Sequence, residues 1–184
     1  MGVLNGIKVL ELTQGLSGPF CTMILGDMGA EIIKIEKPGK GDDSRAFGPF
    51  VNGESAYFMS VNRNKKSMAI DLRTPEGLGI FEELAKNADV VVENYKPGTM
   101  EKLGTDYERV KTINNDIIYC SISGYGQDGP FRERPAYDAV IQAMSGIMSI
   151  TGQENGSPTR VGAPVGDTTA ALYGVIGIMG ALYR

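Results

Sequence analysis

Short apolar runs alternate with helix-length patterns along this chain, and that alternation most narrows the folds open to it. Strands joined by helical crossovers build a parallel sheet with helices packed on its faces. Lys8–Leu12 predicts a first strand, followed by a glycine-containing turn over residues 13–19 whose proline opens a helix reaching about Asp27 and stopping at Gly29. Glu31–Glu36 predicts the second strand and residues 68–72 the third. Between them, residues 37–64 break into a long connection rich in Gly, Pro, Asp and Asn, the kind of loop that often carries function. Thr74 and Pro75 open the next helix, through Leu84 and Ala85. Residues 89–94 predict a strand covered on both faces, and two short helices over 100–103 and 107–113 lead to a fifth strand over 117–122. A helix over 137–144 and a last one over 168–183 follow, separated by a Gly/Pro-rich loop at 152–166.

The totals bound the function. A chain of 184 residues can bury a real core as one domain. A net charge of −4 argues against a nucleic-acid partner while leaving room for a local basic pocket. Cys21 and Cys120 are too few for a disulfide scaffold, so reduced thiols and a cytoplasmic location are expected. The first residues lack a basic segment followed by a long apolar one, so no secretory signal is expected. The longest apolar stretch, residues 170–183, falls short of the roughly 20 residues that cross a bilayer, which predicts a buried helix and no membrane partner. Because the sequence stops on this helix, apolar on nearly every face, it is expected to be truncated, with the missing part supplying cover.

There is no histidine, which removes the commonest general base and metal ligand at once, and no metal site is expected. Gly15-Leu16-Ser17-Gly18 has the wrong spacing for a dinucleotide fingerprint but suits a helix N-terminus that tolerates anions. Lys34 and Lys37 flank the second strand, and Arg63, Lys65 and Lys66 follow the long loop. They read as a solvated edge or as holders of a phosphate-rich ligand. Asp167, after glycine and before a helix, reads as an N-cap, and the same position suits an ionised nucleophile.

Several segments, in order, carry a resemblance: Leu4-Asn5-Gly6-Ile7-Lys8-Val9-Leu10-Glu11, Gly18-Pro19-Phe20, Leu25-Gly26-Asp27-Met28-Gly29-Ala30-Glu31, Asn64-Lys65-Lys66-Ser67, Asp89-Val90-Val91-Val92-Glu93-Asn94, Ser123-Gly124-Tyr125-Gly126-Gln127-Asp128-Gly129-Pro130 and Gly166-Asp167. Their ordered combination resembles the class III CoA-transferases, such as formyl-CoA and carnitine CoA-transferases. The resemblance implies an α/β fold, a Rossmann-like parallel sheet with helices on both faces, with residues 1–184 as the N-terminal part of the large CoA-binding domain and the small domain absent. It implies CoA moving from an acyl-CoA to a free carboxylic acid through a covalent aspartyl intermediate at Asp167, with no permanent cofactor. Coenzyme A contacts are implied at Gly15, Leu16, Lys37, Asn64, Lys65, Lys66, Asn94, Tyr95, Lys102 and Ser123. An interlocked homodimer is implied for the full-length protein. Leu16 and Ser123 replace a glutamine and a lysine of formyl-CoA transferase, so the resemblance does not extend to that enzyme in particular.

Two alternatives stay open. The acyl-CoA racemases share the fold but use a histidine where this chain has Tyr137, and tyrosine, with an ordinary pKa near 10, is a poor base at neutral pH. The other is a CoA-binding fragment without turnover.

Overall fold

The computed structural model describes residues 2–184. Five strands form one parallel sheet: β1 (Lys8–Leu12), β2 (Glu31–Glu36), β5 (Lys65–Ala69), β6 (Val90–Glu93) and β7 (Ile118–Ser121), in the order β5-β2-β1-β6-β7. The chain runs outward from β1 to β2 and β5, then returns to the other side of β1 for β6 and β7. This is the doubly wound arrangement, in which a ligand crevice opens where the strand order reverses.

The strands' period of two sorts the core into two layers. Val9, Ile32, Val90 and Val92 face α1 (Ser17–Asp27) and the last helix, α7 (Val165–Tyr183). Leu10, Leu12, Ile35 and Val91 face Phe81 and Ala85 of α3 (Pro75–Ala85), Met100 of α4 (Thr99–Leu103) and Val110 of α5 (Tyr107–Ile113). Helices therefore cover both faces, as expected for strands with near-continuous apolar centres. Gly18 is what lets α1 lie close to β1, since a Cβ there would sit 2.4 Å from the Thr13 side chain.

Three expectations need correction. The third strand is Lys65–Ala69, not residues 68–72. Its polar residues make the edge ladder with β2, while Ile70 and Leu72, past the strand's end, supply apolar cover to the second core layer. The connection 37–64 is not featureless: it holds a 3-10 turn (Asp43–Ala46), a small hairpin of β3 (Phe50–Val51) and β4 (Glu54–Ser55), and helix α2 (Ala56–Val61) capped by the Ser55 hydroxyl. The last helix begins at Val165, and at 19 residues it is long and apolar enough, by length and composition, to cross a bilayer. Nor is it buried on all sides. Ala171, Val175 and Ile178 pack inward, whereas Leu172, Tyr173 and Ile176 are exposed.

Candidate active site

The carboxyl ends of β1 and β6 meet at the reversal point, and a cleft of about 430 Å³ opens beyond them. Its floor is stitched by a reciprocal amide pair: Gln14 N–H donates to Asn94 Oδ1, and Asn94 Nδ2 donates to the Gln14 carbonyl, both at 2.8 Å. The pairing ties the turn after β1 to the turn after β6, so Gly15, Leu16 and Asn94 reach the cleft together. Phe47, Tyr57, Ser123, Tyr137 and Asp167 complete the lining.

Asp167 is not the cap of its helix. Pro164 holds the N-cap position, the first helical residue is Val165, and no side-chain cap bond is made. Asp167 therefore sits inside the first turn, half-buried, with its carboxylate on the cleft. Burial pushes its pKa up, and the neighbouring Asp138 carboxylate pushes it further, with no cation or hydrogen bond among the described residues to offset either. The helix α6 (Asp138–Met144) braces this turn: Gly166 N–H donates to Asp138 Oδ1 at 2.8 Å, and Gln142 Nε2 donates to Asp138 Oδ2 at 2.7 Å. Gln142, fully buried, also accepts from Val161 N–H at 2.8 Å, which fastens the preceding loop to the same helix.

A second cavity of about 400 Å³ lies beside the first, at the ends of β1, β2 and β5. It is lined by Lys37, Tyr95, Arg73 and apolar Leu12, Ile35 and Leu72. Gln14 lines both cavities and donates from Nε2 to the Tyr95 hydroxyl at 3.0 Å, so one side chain forms the partition between them. The cations are on one side only: Lys37 and Arg73 border the second cavity, while the described lining of the first contains two aspartates, Asp43 and Asp167, and no lysine or arginine. Lys37 forms a 2.8 Å pair with Asp43, and Arg73 a bidentate pair with Asp71 that holds the Asp71 carboxyl at about 2.

Of the residues singled out in the sequence, Gly15, Leu16, Asn94, Ser123 and Asp167 line the first cavity, and Lys37 and Tyr95 the second. Lys102, exposed on α4, lies one residue from Leu103 of that second lining. Asn64, Lys65 and Lys66, like Lys102, line neither cavity. Asn64 donates to Asp27 at 2.6 Å and Lys66 pairs with Glu31 at 2.6 Å, both on the outer surface. Lys65 points into the protein, where its Nζ meets Glu11 at 3.0 Å, the Pro19 carbonyl at 2.9 Å and Asn62 Oδ1 at 2.9 Å. Burial lowers its pKa to about 8 despite the attraction of Glu11. Gln14, Asp43, Phe47, Tyr57, Arg73 and Asp138 went unrecognised in the sequence, because only the folded loops bring them to the sheet ends.

Residues 4–184 match the family described as CoA-transferase family III. The chain is 53% identical over 185 residues to succinyl-CoA:glutarate CoA-transferase of Mus musculus, covering all of this chain and 42% of that protein. It is 48% identical over 183 residues to acetyl-CoA:oxalate CoA-transferase of Acetobacter aceti, covering 99% of this chain and 47% of the relative. Among solved structures, a CAIB/BAIF family protein from Brucella suis superposes with a TM-score of 0.95 at 45% identity, over 99% of this chain and 49% of its own. The chain thus spans less than half the length of these relatives, and its sheet order, its cleft and its sequence agree in one conclusion: it belongs to CoA-transferase family III.

Proposed function

We propose that this chain supplies the CoA site and the nucleophile of an enzyme that moves CoA from an acyl-CoA thioester to a free carboxylic acid. The observation that carries the proposal is the pair of cavities divided by Gln14, one bordered by cations and one presenting the Asp167 carboxylate. A CoA thioester has the matching polarity, with an anionic nucleotide at one end and an uncharged acyl carbonyl at the other. Lys37 and Arg73 suit the phosphates, and the face of Tyr95 suits the base.

In this reading an Asp167 oxygen attacks the thioester carbonyl, the C–S bond breaks, and CoA leaves as the thiolate. The mixed anhydride so formed is activated at its aspartyl carbonyl. The thiolate attacks there and releases the donor acid, leaving an aspartyl thioester. The acceptor carboxylate then repeats the exchange in reverse order, regenerating Asp167 and a new acyl-CoA. No proton is consumed and no oxidant is needed. A carboxylate with no hydrogen bond or cation to stabilise its charge is a better nucleophile than one held in an ion pair, and that is the state of Asp167. The names of the relatives, a glutarate and an oxalate CoA-transferase, point to dicarboxylic acids as acceptors. An interlocked homodimer belongs to the same proposal, and the mass of the full-length protein in solution tests it.

The experiment is to incubate the full-length protein with succinyl-CoA or acetyl-CoA and a dicarboxylate, trap with hydroxylamine or borohydride, and locate the label by mass spectrometry. Modification at Asp167 is expected. An unmodified protein that exchanges the acyl α-proton in deuterated water would replace this reading with racemisation. CoA binding with neither reaction would leave a binding module.

A further inference from the structure

We propose that the buried Lys34–Asp42 pair is a positioning device that fixes part of the cleft lining by holding the Gly15 turn and the segment after Asp42 in one place. The proposal rests on the transfer reading above for its consequence in turnover, although its geometric half stands without it.

Glu11, Lys34 and Asp42 are almost wholly inaccessible, and the Lys65 side chain is only 2% exposed. Glu11 and Lys34 are cross-strand neighbours on β1 and β2, both on the α1 face of the sheet. Lys34 Nζ reaches Glu11 Oε1 at 2.8 Å, Asp42 Oδ2 at 2.9 Å and the Thr13 carbonyl at 2.9 Å. Asp42 carries the connection outward. Its Oδ1 accepts from Gly15 N–H at 3.1 Å and from Ser44 N–H and Oγ at 2.8 and 2.7 Å. Thr22 and Thr13 donate to Glu11, and Lys65 joins Glu11 to Asn62 at the end of α2.

Every segment the network grips borders the cleft. Gly15 and Leu16 line it directly, Asp43 follows Asp42, and α2 carries Tyr57. The chain is shaped to bring Asp42 in. Gly41 has φ +65, and a Cβ there would fall 2.5 Å from Glu36 Oε2, while Asp42 N–H donates to that same oxygen at 2.8 Å.

A buried pair of this kind is a poor way to gain stability, because apolar residues of similar volume often do as well or better. What apolar residues cannot do is aim. The charged pair holds Thr13 O, Gly15 N–H and Ser44 N–H at once, although Asp42 Oδ2 meets Lys34 as an ion pair without a hydrogen bond. Neither Lys34 nor Asp42 lines the cleft, so they act through the Gly15 turn, which does.

The test separates aim from stability. Lys34→Met with Asp42→Asn removes one charge of each sign and leaves Glu11 with Lys65. The double variant is compared, in the full-length protein, with Lys34→Met alone and with Lys86→Met, a remote exposed control. Three readouts are taken: urea unfolding, hydrogen exchange at the Gly15 amide, and kcat and KM for acyl-CoA. The double variant is expected to recover most of the stability that Lys34→Met loses. Its Gly15 amide should exchange at least tenfold faster, and kcat should fall at least tenfold with KM changed less than threefold. Unchanged Gly15 exchange in the double variant overturns the proposal, and so does wild-type kcat. If the wild-type protein shows no transfer while the Gly15 amide still loosens, the transfer reading fails and the positioning of the turn stands.

Discussion

The cleft wall formed by the Gly15 turn and residues 42–47 is held by four buried charges, whereas the wall carrying Asp167 is held by neutral donors on the single carboxylate of Asp138. The first wall is an extension of the sheet: Glu11 and Lys34 lie in two of its three inner strands. The second hangs from α6 and from the start of α7, beyond the last strand. The difference in electrostatics is as sharp. Lys34, Glu11 and Asp42 are each favoured in the charged form even against burial, while for Lys65 burial outweighs Glu11 and lowers the pKa to about 8. At Asp167 burial and Asp138 act in the same direction, and the charged form is disfavoured. A protein can hold a rigid reference surface and a reactive carboxylate side by side only by treating their charges in opposite ways.

The largest effect expected from breaking this contrast is at Asp167. Asp167→Asn should lower transfer by about a thousandfold or more, and mass spectrometry should find no trapped adduct. The same variant should melt higher than wild type at neutral pH. The folded-state pKa of Asp167 lies above its unfolded value, so the ionised form costs stability as pH rises through the folded pKa. Below the unfolded pKa both states are protonated, and the gain in melting temperature should vanish there. A variant that melts lower at neutral pH would mean that Asp167 is a structural group.

Lys34→Met, which leaves Glu11 and Asp42 sharing one remaining cation, should cost about 3–5 kcal/mol in urea unfolding. On the other wall, Gln142→Leu removes the donor to Asp138 and the acceptor for Val161 N–H, and should cost about 1–3 kcal/mol. Equal costs at the two sites would erase the contrast drawn between them.

The smallest effect lies at the rim. Burial opposes the ionisation of Glu36, but Arg45, the Ser67 hydroxyl and Asp42 N–H outweigh it and hold the carboxyl at about 2. Its folded pKa is below its unfolded one, so the stability it contributes is present above about 4.5 and lost as pH falls toward 2. Glu36→Gln should flatten that acid limb by about 1 kcal/mol, because Glu36 is buried but its partner Arg45 is partly exposed and screened. An unaltered acid limb would move the origin of acid unfolding elsewhere.

The parallel sheet was legible because its central strands carry their signal locally. In Val90–Glu93 both faces are apolar, and in Lys8–Leu12 a glycine turn and a proline follow at once. The third strand was misplaced because residues 68–72 alternate as a strand should, while the true ladder is made by Lys65, Lys66 and Ser67 at a sheet edge, where side chains need not be apolar. Asp167 was legible as a residue but not as a position, since Pro164 starts the helix earlier and turns a cap into a residue of the first turn. The first wall was hidden for a different reason. A lysine within Glu31–Glu36 demands a counter-charge, and Glu11 is a visible partner in the neighbouring strand, but Asp42 enters only through a fold of the loop at Gly41.

The adjacent lysines of β5 have opposite fates, Lys65 inward to Glu11 and Lys66 outward to Glu31. Two identical side chains in succession offer apolar packing no way to choose between the two registers of that strand. The buried anion makes the choice. A slip by one residue would exchange the two faces, bringing Lys66 or Asn64, the latter at φ +60, to the place of Lys65. Glu11 thus acts as a ratchet tooth for an edge strand, setting by charge the pairing that hydrophobic pattern leaves undecided, and with it the point at which the chain turns back toward the crevice.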